Sequence, residues 1–167
     1  GGQPETVMAM TGNYLHPIES EDFGAILIRF HNGAVGVGEG SVCAYPENLE
    51  ETLSVFGEKG TAVIGGVALN TVEMWKFASS LPQDEEVREL RENTVPDLYG
   101  TGHNALYGDF INALETKKQP LVNGEEAMKS LKIVLAAYES QKTNKMVSLD
   151  DFSFSTSNMN ESDVRIR

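Results

Sequence analysis

Basic residues and cysteine are what this chain has least of. Its 167 residues carry 13 Lys and Arg against 25 Asp and Glu, for a formal net charge of -12. Nucleic acid and anionic membranes both require a basic surface, so neither is expected as a partner. A phosphorylated small ligand, which needs only a local cluster of donors, stays compatible with that charge. The single cysteine, Cys43, excludes an internal disulfide and any multi-cysteine zinc site. It also favours a reducing compartment, and the cytoplasm is the expected location. No apolar run approaches the roughly 18 residues of a membrane span, and no basic segment leads into an apolar core as in a signal peptide. No histidine pair stands at i, i+4 and no Gly-x-Ser-x-Gly occurs, so no metal site and no serine-hydrolase chemistry are expected. A start methionine is missing too. The chain opens Gly1-Gly2-Gln3-Pro4, which reads as a cut inside a longer protein.

What is present is ordinary globular material, 40% hydrophobic and 23% charged, enough for one domain with a core. The first half reads as strands. Residues 5–10 form a short candidate, and residues 23–30 alternate toward His31-Asn32-Gly33. Asn-Gly between two extended runs is a strong hairpin signal, because both residues tolerate positive φ. The return strand, residues 34–42, has Gly36, Gly38 and Gly40 on one face. A stripe without side chains lets a helix, a second subunit or a ligand approach closely. Residues 48–56, 61–64 and 67–77 continue as strands, with a turn at residues 57–60. The hairpin connections predict a largely antiparallel sheet. Residues 79–96 read as an exposed excursion with a short helix near residues 85–91.

The second half turns helical. Leu106, Phe110, Ala113 and Leu114 fall at i, i+4, i+7 and i+8, one stripe of a helix that ends near Lys117 and Lys118 and is stopped by Pro120. Asn123 is placed to cap a second helix, residues 124–142, with Glu126 three residues on. Its core face is expected at Met128, Leu131, Leu135 and Tyr138. Residues 146–149 suggest a last strand, and the polar tail from residue 150 is expected to be loosely ordered or docked through Phe152 and Phe154. Strands first and helices after give an α+β fold, an open, largely antiparallel sheet with helices on one face.

One run carries candidate chemistry. Gly100-Thr-Gly-His-Asn-Ala105 matches Gly-x-Gly-x-x-Ala and opens a helix, but it follows no convincing strand, so a Rossmann pyrophosphate site is not expected. The helix N-terminus could still face a sugar hydroxyl or a phosphate. His103 would either donate to such a ligand or pack as a cap. His16 and His31 read as structural or solvated. Cys43 reads as a small buried residue. Asp109 and Glu115 point to different sides of their helix and make no acid/base pair.

Three local patterns, in order, resemble one family. They are Asp22-Phe-Gly-Ala-Ile with Phe30-His-Asn-Gly-Ala34, then Gly-His-x-x-Leu-Tyr-x-Asp-Phe-x-x-Ala-Leu over residues 102–114, then Gln119-Pro-Leu-Val-Asn-Gly-Glu-Glu-Ala127. Together they are similar to the C-terminal part of the Gfo/Idh/MocA oxidoreductases, over most of residues 3–149. The Tyr99-Gly-Thr-Gly-His103 loop looks most like that of members acting on nucleotide-linked amino-sugar acids. The resemblance implies a substrate-binding and oligomerisation domain over residues 1–149, followed by the tail at 150–167. It implies a sugar, polyol or nucleotide-sugar substrate, and a homodimer or homotetramer formed through the sheet face that the helices leave open. NAD or NADP would serve the parent enzyme. The family's cofactor loop, its Glu-Lys-Pro lysine and its Asp-x-Gly-x-His histidine have no counterpart here. The chain alone is therefore expected to bind no cofactor and to contain no catalytic residue. His103, Tyr99 and Asn104 are the expected substrate-facing residues. A free-standing sugar-binding or assembly module of the same fold is the alternative.

Overall fold

The computed structural model describes residues 2–89, 102–153 and 155–158. They fall into two compact units, one from residues 1–45 and 122–167, the other from residues 46–121.

The first unit is a sheet with a helix on it. Strands β1 (Pro4–Gly12), β2 (Phe23–Phe30) and β3 (Val35–Ser41) pair antiparallel in sequence. The β2–β3 turn is the Asn-Gly hairpin, with Gly33 at φ 85° and the Asn32 side chain accepting from the Ala34 amide at 3.1 Å. Helix α3 (Gly124–Thr143) packs on β1. Its N-cap is Asn123, whose side chain accepts from the Glu126 amide at 3.0 Å, and its C-cap is Asn144 at φ 54°. The last strand, β7 (Val147–Ser148), then pairs with Thr6 and Val7, giving the order β3-β2-β1-β7.

The face that α3 turns to the sheet differs from the one expected. Ile133, Ala136, Ala137 and Ser140, at i, i+3, i+4 and i+7, meet the sheet, while Met128, Leu131 and Val134 stay exposed. Of the expected face only Leu135 is buried, and Tyr138 is half-buried. Small side chains let the helix backbone approach β1 closely, and the core is Val7, Ala136, Ala137 and Leu149, with Phe152 of the tail packed against it. Where β7 stops, α3 continues the ladder. The β1 amides of Ala9 and Thr11 donate to Ser140 Oγ at 3.0 Å and Gln141 Oε1 at 2.8 Å. Ser140 Oγ in turn donates to the Lys145 carbonyl at 2.7 Å.

The second unit holds β4 (Leu53–Gly57), β5 (Gly60–Gly65) and β6 (Thr71–Phe77), a meander of order β4-β5-β6. Antiparallel pairing and the α+β class agree with the expectation, but the strands divide between two sheets. β6 starts later than the pattern suggests because residues 67–70 turn, with Gly66 at φ 94° and Leu69 at φ 51°. Helix α1 (Asp84–Glu89) is fixed by Asp84, which accepts from the Trp75 indole at 2.8 Å and from the Leu81 amide at 2.9 Å. Helix α2 (Gly102–Thr116) ends beside Lys117, near the expected end, yet Leu106, Phe110 and Leu114 are largely exposed and only Ala113 is buried. Asp109 accepts from the Leu121 amide at 2.7 Å, which anchors the turn after α2. Phe154 lies outside the described residues.

Candidate functional site

Among the described residues, three groupings carry chemically capable side chains. The first is the N-terminal turn of α2, in the second unit. His103 and Asn104 are exposed on that turn, where helix amides lack intrahelical partners and favour an anionic or hydroxyl ligand. Tyr99 lies outside the described residues. Of the Gly-x-Gly-x-x-Ala run, Gly100 and Thr101 lie outside the described residues, and Gly102 to Ala105 form the first turn of α2. Among the described residues, the element before α2 is helix α1 and the one after it is helix α3, so no strand–helix–strand unit of the kind that cradles a pyrophosphate is formed by them.

The second grouping, in the first unit, centres on Asp22, which is 2% exposed. Its carboxylate accepts from the amides of Tyr14 at 2.8 Å, Leu15 at 2.7 Å and His16 at 2.9 Å, and faces His16 Nδ1 at 3.3 Å. Burial pushes this carboxyl up. The amides of Leu15, His16 and Tyr14 and the His16 ring outweigh it, holding the group well below the usual carboxylate range. Cys43, half-buried, points its Sγ at the Asp22 carbonyl at 3.4 Å. The ligand atoms of His16, Asp22 and Cys43 lie within 4.8 Å of one another, a spacing seen in metal sites. The donors already on the carboxylate make the cluster a clamp on the loop after β1. His31 is structural in the same sense, meeting Asp150 at 2.9 Å.

The third grouping is a cleft of about 540 Å³ beside α3, on the same sheet face, also within the first unit. Its floor is Gly24, Ile26, Gly38 and Gly40, and α3 contributes Val134, Ala137 and Tyr138. Tyr138 Oη donates to Glu21 at 2.7 Å. Burial, that bond and the Glu21 charge push the tyrosine up to about 12. For Glu21 burial acts upward, but the hydroxyls of Ser20 and Tyr138 and its own amide hold it below its usual value. Thr11, 6% exposed, also lines the cleft, and its Oγ1 has no hydrogen-bond partner among the described residues. Sequence reasoning missed this cleft and the Asp22 clamp. The glycine stripe signalled the former, and nothing local signals the latter.

Comparison with known proteins follows the fold. No curated protein matches the chain. Among solved structures, the WlbA dehydrogenase from Bordetella pertussis, in complex with NADH and UDP-GlcNAcA, is similar at 37% identity with a TM-score of 0.81, over 88% of this chain and 42% of that one. The Chromobacterium violaceum WlbA dehydrogenase, with the same two ligands, gives 32% identity and a TM-score of 0.80, over 91% of this chain and 42% of its own. A levoglucosan dehydrogenase in complex with NADH and levoglucosan shares the fold at 20% identity and a TM-score of 0.71, over 89% and 45%. The chain thus spans less than half the length of these structures. Residues 1–149 match the profile of an oxidoreductase family's C-terminal alpha/beta domain, and with that match the chain belongs to the Gfo/Idh/MocA oxidoreductase family, as its C-terminal domain.

Proposed function

We propose that this chain is the substrate-side domain of an NAD(P)-dependent oxidoreductase acting on a CH–OH group of a nucleotide-linked sugar acid or a related sugar or polyol. The observation that carries the reading is the 37% identity, over 88% of the chain, to a dehydrogenase solved with NADH and UDP-GlcNAcA. A bound nicotinamide supplies the hydride acceptor; the family's cofactor loop has no counterpart in this sequence, so its site is assigned to the part of the enzyme outside this chain. What this domain contributes is orientation of the sugar. His103 and Asn104 on the first turn of α2, with Tyr99 before them, face the substrate and donate to its hydroxyl or phosphate oxygens.

The test is turnover of the full-length enzyme with a UDP-linked sugar acid and NAD+ or NADP+, followed by nicotinamide absorbance. His103→Ala is expected to lower kcat/KM at least about tenfold, the loss of one good hydrogen bond to a bound ligand. Unchanged kcat and KM would remove His103 from the substrate wall. No turnover with any sugar would favour the free-standing binding or assembly module.

Subunit pairing belongs to the same reading. The sheet face away from α3 carries Met8, Leu27 and Val37 in one cross-strand row, 44%, 50% and 79% exposed. Such a row on a sheet face calls for cover by a second copy. Leu27→Lys is expected to convert the oligomer to monomer in light scattering. An unaltered mass would place the interface elsewhere.

A further inference from the structure

Strands β1, β2 and β3 end together, with Gly12, Phe23 and Ser41 in one cross-strand row. Just beyond that row stand three ligand-type side chains, each from a different segment. His16 lies in the loop after β1, Asp22 immediately before β2, and Cys43 just after β3. All three belong to the first unit. Asp22 is 6 positions from His16 and 21 from Cys43, so no helical ligand spacing announces the set and only the fold assembles it.

As a clamp the cluster leaves bonding capacity unused. Oδ2 of Asp22 accepts from the Leu15 and His16 amides, but Oδ1 accepts only from that of Tyr14 among the described residues. A carboxylate offers about four lone-pair positions, so one remains, on Oδ1. His16 Nδ1 stands 3.3 Å from Oδ2, an oxygen whose positions the two amides already fill. That contact is longer than the roughly 2.7–2.9 Å of a charge-assisted N–H···O bond. Cys43 Sγ makes only a weak 3.4 Å contact with the Asp22 carbonyl. An imidazole nitrogen, a thiol and a carboxylate oxygen therefore converge within 4.8 Å with poor partners of their own. Nitrogen, oxygen and sulfur ligands about 2.0–2.3 Å from a tetrahedral ion stand about 3.3–3.6 Å apart, which the His16–Asp22 pair meets as it is and the thiol reaches by closing about an ångström. Among the described residues the His16 side chain is 44% exposed and that of Asp22 0%, so the ring adjusts while the carboxylate stays fixed.

We propose that His16 Nδ1, the Asp22 carboxylate and the Cys43 thiolate bind one zinc ion. Imidazole, thiolate and carboxylate in a tetrahedral arrangement suit Zn2+ among the common divalent ions. On binding, the thiol gives its proton to solvent, the zinc–sulfur bond forms, and no electron is transferred. The amides of Tyr14, Leu15 and His16 stay on the carboxylate and orient it, the part that outer hydrogen bonds play at metal centres. Water fills the fourth position. The ion ties together the ends of three strands at a place where the backbone otherwise holds them through one buried carboxylate.

Cobalt(II), added to the reduced 167-residue chain, reads the site. About one equivalent is expected to give a thiolate-to-cobalt charge-transfer band in the near ultraviolet and the strong visible absorption of a tetrahedral ion, both bleached by zinc. Cys43→Ser is expected to remove the charge-transfer band. His16→Gln is expected to weaken binding at least about a hundredfold, because even outer-shell losses cost about 10–100-fold. Both variants keep the three amides on Asp22, so the fold is retained. His31→Gln is the control, since His31 pairs with Asp150, and should bind as the parent does. Zinc should raise the thermal midpoint of the parent chain and leave that of His16→Gln where it was. No charge-transfer band in the parent chain overturns the proposal, and so does equal affinity in His16→Gln, which would mean binding by a thiol alone. Loss of the band in a folded His31→Gln overturns it too. Should Cys43→Ser fail to fold, the His16→Gln titration decides.

Discussion

Replacing Ser140 by alanine is expected to destabilise the unit built from residues 1–45 and 122–167 by about 2 kcal/mol, within the 1–3 kcal/mol that a stranded buried group costs. Ser140 is 1% exposed, and its hydroxyl is both an acceptor for the Ala9 amide and a donor to the Lys145 carbonyl. Alanine fits the space and removes both bonds, so the penalty is electrostatic and not steric. Water cannot replace the hydroxyl without opening the contact between α3 and β1. Ser140→Gly keeps the same two groups orphaned and adds a helix-interior glycine, so it should be worse by about 1 kcal/mol. Chemical denaturation with a fixed m-value would check both variants. A midpoint unchanged in Ser140→Ala would mean that the Ala9 amide has another partner.

The second large effect concerns acid. Asp22 has a carboxyl held far below its unfolded value of about 3.9. Above that value both folded and unfolded chains carry the charge, and the full contribution of the clamp is present. As pH falls below about 4 the unfolded chain takes up a proton that the folded one refuses, and stability falls with it. Asp22→Asn should therefore lower the thermal midpoint at neutral pH, because one of its side-chain atoms becomes a donor facing amides that are donors too. It should also flatten the acid limb by close to one proton. Thermal midpoints measured from pH 7 to pH 2 would show both. An acid limb of the same slope in the variant would mean that other carboxyls carry the transition.

Much of the fold was legible because it is written locally. Asn32-Gly33 sets a turn through φ preferences that act within a few residues, and Asn123 caps α3 through an amide three residues away. The patterns at residues 102–114 and 119–127, in order, pointed to the family that the profile match then showed. What was not legible depends on partners far along the chain. The buried face of α3 follows Ala136, Ala137 and Ser140 because β1 lies close, whereas the larger residues one step round the helix read as core from sequence. Asp22 is recognised by three backbone amides, and an amide carries no sequence signature. His31 meets Asp150 across 119 positions. Of the expected substrate-facing residues, His103 and Asn104 come together on one helical turn because they adjoin in sequence, while Tyr99 lies outside the described residues.

The way α3 finishes the β1 ladder has a bearing on solubility. A strand edge with unsatisfied amides is a template for a foreign strand, and such edges seed aggregates. Here the short β7 closes part of the edge, and the side chains of Ser140 and Gln141 occupy the next two inward amides, so no incoming strand finds a run of free donors. Loss of Ser140 would thus do more than loosen a helix. It would reopen a docking register for misassembly, and the variant should form fibrils or precipitate at concentrations that the parent sequence tolerates.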